Sequence, residues 1–113
     1  MSSTEKALKK ELSFNKNEDS MKLLISNLNR KMEVVSMGGG KAKVKKHHSK
    51  GKMTARERIQ FLVDKDSKQL EIGGFAGDGM YEEYGGCPSG GVVVVLGYVS
   101  GKQCIVVAND ATV

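Results

Sequence analysis

Gly91-Val92-Val93-Val94-Val95-Leu96-Gly97-Tyr98-Val99-Ser100-Gly101-Lys102-Gln103-Cys104-Ile105-Val106-Val107-Ala108 is the stretch that decides the fold. Two apolar runs, Val92–Leu96 and Cys104–Val107, flank Ser100-Gly101, a two-residue connection of hairpin type. The reading is therefore two strands, Gly91–Val99 and Lys102–Ala108. Their apolar runs are unbroken rather than alternating, and strands of that kind ask for cover on both faces. A third, short strand is expected over Gln69–Ile72. Between it and the hairpin, Gly73–Gly91 is glycine-rich and reads as loop with little regular structure.

Upstream of Ser67 the periodicity becomes helical. Thr54-Ala55-Arg56-Glu57 matches the S/T-x-x-E capping box, with Thr54 as N-cap and Glu57 reaching back to it. Ile59, Leu62 and Val63 continue as an apolar stripe, and Asp64–Ser67 reads as the turn that ends this helix. Lys41–Lys52 suits a short helix stopped by Gly51. Before it, Met21, Leu24, Ile25, Leu28, Met32 and Val35 recur at spacings of three and four. They predict a helix from about Asn17 or Asp19 to Met37, closed by Gly38-Gly39-Gly40. The polar first dozen residues, through Leu12, are expected to fray. Helices followed by strands place the chain in the α+β class, with residues 1–37 as an N-terminal helical segment and 38–113 as the start of a domain.

A chain of 113 residues fits one domain with a modest core. No apolar run approaches the roughly 20 residues of a bilayer span. The two cysteines, Cys87 and Cys104, are too few for a disulfide framework and suit a reduced, intracellular setting. Acids among the first lysines and the lack of an apolar stretch fit neither a secretory signal nor a transit peptide, so a cytoplasmic location is expected. Charge is unevenly spread: residues 1–68 hold 17 of the 18 Lys/Arg against 8 acids, whereas residues 69–113 hold one Lys and 5 acids. A basic front thus joins a mildly acidic back. The unbroken apolar strands, with the sequence stopping at Val113 directly after the second, make a fragment of a larger fold the expectation.

Several motifs invite chemistry and fail on spacing. Gly38-Gly39-Gly40-Lys41 lacks the G-x-x-x-x-G-K-[ST] pattern of a phosphate loop and follows a helix instead of a strand. His47-His48 point about 100° apart on a helix and have no C-x-x-C companion, so solvated surface histidines are expected and no metal site. The six lysines of Lys41–Lys52 carry no interleaved aromatics for stacking bases, which disfavours nucleic acid. A phosphate-bearing small molecule such as coenzyme A suits them as well. No triad, nucleophile elbow or dinucleotide fingerprint is present, so no residue is assigned to catalysis.

The order of the motifs carries a resemblance. Gly38-Gly39-Gly40, then His47-x-x-Lys50-Gly51-Lys52-Met53-Thr54-Ala55-Arg56-Glu57-Arg58-Ile59 and Leu62-x-Asp64 resemble the opening of acyl-CoA carboxylase β (carboxyltransferase) subunits. Phe75-Ala76-Gly77, Tyr81, Pro88-x-Gly90-Gly91, Gly97-x-Val99-x-Gly101 and Ala108-Asn109-Asp110-Ala111-Thr112-Val113 continue it. The Phe-Ala-Gly step and the Ala-Asn-Asp-Ala-Thr-Val end are most similar to the methylcrotonoyl-CoA carboxylase type; a propionyl-CoA carboxylase β-type fragment is the alternative. Two cysteines cannot supply the Cys₄ zinc ribbon of the bacterial acetyl-CoA carboxylase β subunit.

The resemblance implies the N-terminal helices and first strands of a crotonase-like (ClpP/crotonase) carboxyltransferase domain, incomplete here. It implies transfer of a carboxyl group from carboxybiotin to an acyl-CoA such as 3-methylcrotonoyl-CoA, a ligase or transferase activity of leucine catabolism. The transition state is stabilised by backbone oxyanion holes. Those holes lie in later parts of the family's subunits, so this chain is expected to be inactive alone. The implied partners are acyl-CoA, a biotin carboxylase/biotin carrier α subunit bearing the biotin, and further β subunits, with no membrane. Lys50, Lys52, Arg56 and Arg58, beside a helix N-terminus, and Asn109 and Asp110, at a strand end, are the candidate contacts to the nucleotide end of coenzyme A. The competing reading has Arg56 and Arg58 as structural, paired with carboxylates such as Glu57 or Asp64. The rival function is a basic non-catalytic module binding nucleic acid or an acidic surface through Lys41–Lys52.

Overall fold

The computed structural model describes residues 2–113. Its elements are α1 (Ser3–Ser36), α2 (Lys41–Ser49), α3 (Ala55–Leu62), β1 (Leu70–Ile72), β2 (Val92–Val99) and β3 (Lys102–Asn109). Two short 3-10 turns, Glu82–Tyr84 and Pro88–Gly91, interrupt the glycine-rich loop. The chain forms two compact units, one ending at Lys31 and one spanning Met32–Val113.

In the first unit every described residue is helical or directly precedes the helix, and all are exposed. The expected helix start near Asn17 or Asp19 is overturned: α1 is one helix from Ser3, residues through Leu12 included. The reason is a second capping box. The Glu5 N–H donates to Ser2 Oγ at 3.2 Å, and the Ser2 N–H donates to Glu5 Oε2 at 2.8 Å. No Gly or Pro then intervenes before Gly38. Of the predicted apolar face, Met21, Leu24, Ile25 and Leu28 are exposed, while in the second unit Met32 is half-buried and Val35 buried. Helical structure stops as expected at the glycines: the Gly38 N–H donates to Val35 O at 3.1 Å, and Gly38 takes a φ of 57°.

The second unit is built on a three-stranded antiparallel sheet of order β1-β2-β3. Leu70 faces Leu96, and Leu96 faces Ile105. The hairpin turn is the expected pair, Ser100 and Gly101, both at positive φ (52° and 76°), the twist that suits antiparallel strands. A serine is strained there, and Asp64 offsets the strain. Its two carboxylate oxygens accept the N–H groups of Ser100 and Gly101 at 2.7 Å each, and its own N–H donates to Tyr98 O at 2.8 Å. The Asp64 carboxylate, just beyond α3, thereby fixes the far end of the hairpin.

The core is small. Ala55, Ile59 and Val63 from the α3 stripe pack on Val93, Val95 and Ala108 of the sheet, with Ile59 and Val93 the most deeply buried. The α3 stripe uses Val63 as expected but leaves Leu62 exposed. The other sheet face carries Leu70, Ile72, Ile105 and Val107, all exposed. The unbroken apolar runs therefore have cover on one face only among the described residues.

The cap of α3 has the expected form: the Glu57 N–H donates to Thr54 Oγ1 at 3.3 Å, and the Thr54 N–H donates to Glu57 Oε2 at 3.1 Å. Thr54→Ala leaves the Glu57 amide without its acceptor, a loss of about 1 kcal/mol. Amide exchange checks this. Protection at Ala55–Arg58 is expected to fall, and unchanged protection there counts against the cap.

Candidate functional site

The basic segment Lys41–Arg58 occupies α2, the link to α3 and the first turn of α3. α2 has no fully buried side chain; Val44 and His47 are half-buried, and hydrogen bonds at both ends add to what holds it. His48 is exposed, as expected, and His47 half-buried, yet each ring has a protein partner. His47 Nε2 lies 2.9 Å from Met53 O, and His48 Nε2 lies 2.7 Å from Glu57 Oε1. Both rings thus tie α2 to the start of α3. The Glu57 carboxyl is held below its ordinary range, first by the Thr54 N–H; desolvation opposes this, and smaller contributions from His48 and His47 add to the lowering.

At its front end α2 is tied to the end of the sheet. The Gly39 N–H donates to Thr112 Oγ1 at 3.0 Å. Thr112 in turn donates to Asp110 Oδ1 from its hydroxyl, at 2.6 Å, and from its N–H, at 2.9 Å. Gly39 packs so closely that an added Cβ would lie 1.7 Å from Thr112 O.

Two cavities flank this arrangement. One, of about 450 Å³, has His47, Lys52, Met53, Arg58 and Asn109 in its wall. The other, of about 440 Å³, has Lys41, Lys45, His48, Arg56, Asp110 and Thr112 in its wall. The six sequence-predicted residues thus separate. Lys52, Arg58 and Asn109 share the first cavity, and Arg56 and Asp110 share the second. Lys50 is the exposed C-cap of α2, one residue before Gly51.

The two arginines also differ in what they hold. Arg56 makes a bidentate pair with Glu71, at 2.8 and 2.7 Å, and reaches Ser89 Oγ at 3.3 Å. The carboxylate it meets is on β1, not Glu57 or Asp64. Its Nε is buried with no partner among the described residues. Arg58 donates to the Asn109 main-chain oxygen at 2.8 Å and is otherwise exposed to the first cavity.

Glu71, Ser89 and Thr112 escaped the sequence reading. Glu71 is 15 residues from Arg56, and no local spacing marks such a pair. Thr112 carried a signal, since it lies in the Asn-Asp-Ala-Thr run, but its partner Gly39 is 73 residues away. Among the described residues no group of three or more His, Cys, Asp or Glu is placed to hold a metal, and Cys87 and Cys104 are free thiols.

Residues 46–113 match the family of the carboxyl transferase domain. The chain is 42% identical over 105 residues to a probable mitochondrial methylcrotonoyl-CoA carboxylase beta chain of Drosophila melanogaster, covering 93% of this chain and 18% of that protein. It is 41% identical over 95 residues to the biotin-dependent 3-methylcrotonyl-coenzyme A carboxylase beta1 subunit of Mycobacterium tuberculosis, covering 84% and 18%. It also superposes on transcarboxylase 12S, solved as a hexamer assembly with methylmalonyl-coenzyme A and methylmalonic acid bound. The TM-score is 0.70 at 34% identity, over 79% of this chain and 18% of that one. The helices and three-stranded sheet are thus a part of the crotonase-like carboxyltransferase fold. The match takes in α3, the whole sheet and the greater part of the basic segment, so the chain belongs to the carboxyl transferase domain family.

Proposed function

We propose that this chain is part of a biotin-dependent acyl-CoA carboxylase β subunit of the methylcrotonoyl-CoA type, and that its first cavity meets the nucleotide end of coenzyme A. The division proposed is a helical segment through residue 37 and carboxyltransferase sequence from residue 38. In this reading carboxybiotin on a partner subunit donates the carboxyl group, an acyl-CoA such as 3-methylcrotonoyl-CoA receives it, and further β subunits complete a cytoplasmic assembly. The chain spans 18% of the length of the relatives described above. No residue in it is assigned to the chemical step.

One observation carries the reading: Lys52 and Arg58 converge with Asn109 on one cavity of a chain whose relatives are named as CoA carboxylase beta subunits. Coenzyme A presents a 3′-phosphate and a pyrophosphate, and exposed cations beside a helix N-terminus suit them. Lys50, exposed and one residue before Gly51 of that cavity's wall, is a third cation nearby in sequence. Arg56 and Asp110 serve the same site indirectly, Arg56 by fixing α3 to β1 and Asp110 by fixing Thr112.

The test is a titration of the full chain with coenzyme A, followed by backbone NMR. Coenzyme A is expected to shift Lys50–Arg58 and Asn109 saturably. Lys52→Met and removal of the 3′-phosphate each weaken binding about fivefold and flatten its salt dependence. With carboxybiotin and 3-methylcrotonoyl-CoA the chain alone gives background turnover. Equal affinity for coenzyme A and its dephospho form, unchanged by Lys52→Met, would remove the phosphate contact.

A further inference from the structure

We infer that Thr112 is a positioning residue for α2: through Gly39 it sets where the basic segment stands against the two cavities. It contributes no group of its own to a ligand. Helix α2 has no fully buried side chain, only Val44 and His47 half-buried, so a few polar ties contribute much of what fixes its place. Two of these, from His47 and His48, join its C-terminal half to residues 53–57, which follow it closely in sequence. Only the Gly39–Thr112 bond, among those identified for this segment, connects its N-terminal approach to the sheet end.

That bond is built for rigidity. Thr112 is 5% exposed, and its hydroxyl is used twice, accepting from Gly39 and donating to Asp110. Asp110 also takes the Thr112 N–H, and its own N–H donates to Gly91 O at 2.9 Å, which continues the β2–β3 pairing. The position of the sheet end is thus transmitted through Asp110 and Thr112 to Gly39. Thr112 and Asp110 share a cavity wall with Lys41, Lys45 and His48, so a shift of α2 changes that cavity's shape directly. Lys50 and Lys52 follow at the other end of the same helix.

The effect on ligand binding rests on the coenzyme A reading above; the effect on α2 itself does not. Thr112→Val keeps the volume and removes the hydroxyl, while Thr112→Ser keeps the hydroxyl. In the full chain, amide exchange across Val44–Ser49, the part of α2 whose N–H groups are bonded within the helix, is expected to accelerate roughly tenfold in Thr112→Val and to return to the original rate in Thr112→Ser. Protection at Val93 and Val95 stays unchanged in both. The second measurement is affinity for adenosine 3′,5′-bisphosphate, expected to fall about fivefold in Thr112→Val and to recover in Thr112→Ser.

Unchanged α2 exchange in Thr112→Val overturns the inference. So does loss of protection at Val93 and Val95 together with α2, which would make Thr112 part of the core instead. Faster exchange with unaltered nucleotide affinity also overturns it, because α2 would then move without consequence for the site. If no variant binds the nucleotide, the unsubstituted chain included, accelerated α2 exchange still supports Thr112 as the anchor of α2. The coenzyme A reading then falls by itself.

Discussion

Gly39→Ala is expected to destabilise the second unit by about 3 kcal/mol, the upper range for forcing a methyl into a filled site. The new Cβ would lie 1.7 Å from Thr112 O and 2.5 Å from Thr112 C, both main-chain atoms that no rotamer change can move aside. Relief requires withdrawing residues 110–112, which breaks the Gly39–Thr112 bond and exposes the buried Thr112 hydroxyl. Domains of this kind have only about 5–15 kcal/mol in total, so the loss is a large share. The neighbouring Gly40 is the control. It has a φ of 100°, but a methyl added there would meet nothing within 4 Å. Gly40→Ala therefore costs only the backbone strain of a conformation that essentially only glycine adopts, about 1–3 kcal/mol. Urea denaturation decides the matter: a Gly39→Ala loss below about 1 kcal/mol would mean the close approach is not rigid.

The second large effect belongs to Arg56 and Glu71. Their side chains are 25% and 18% exposed, and the pair is bidentate. Arg56→Met leaves the Glu71 carboxylate half-enclosed without its cation and frees Ser89, which also donates to Gly74 O at 3.3 Å. The expected loss is about 3 kcal/mol, near the lower end for breaking a buried pair because some solvent still reaches it. Glu71→Met is expected to cost a similar amount, since the guanidinium then lacks its acceptor and already has Nε unpartnered. The double variant, with two apolar side chains facing each other, should recover most of the loss. A double-mutant cycle by urea unfolding checks it. Strictly additive single losses below about 0.5 kcal/mol would assign the pair to the solvated surface.

These two expectations also separate structural from binding roles within the basic segment. Arg56 is committed to β1, so its replacement moves stability first. Lys52 has no such commitment and moves affinity first. The distinction could not be drawn from Lys52-x-x-x-Arg56, where both are simply cations near a helix start.

The local elements were legible in residue order alone. The capping box at Thr54, the glycine stop at residues 38–40, the Ser100-Gly101 turn and the two apolar strand runs depend on contacts within a few residues. Such contacts follow from residue type and spacing alone. The ordered motifs from Gly38 to Val113 likewise determined the family. Even at short range one signal, Ser2-x-x-Glu5, is hidden by its polar surroundings, although that cap makes α1 continuous from Ser3.

Which polar groups meet depends on packing between elements far apart in the chain. Arg56 chooses Glu71 over the nearer Glu57 because α3 lies across the sheet and Glu57 is already used by Thr54 and His48. Asp64 caps a hairpin 36 residues away, and Thr112 catches Gly39 across 73. Pairings of that length are set by how α3 and the sheet pack, and no periodicity in the chain encodes them. The division of five of the six candidate residues between two cavities has the same cause: it follows from where Ile59 and Val93 bury each other.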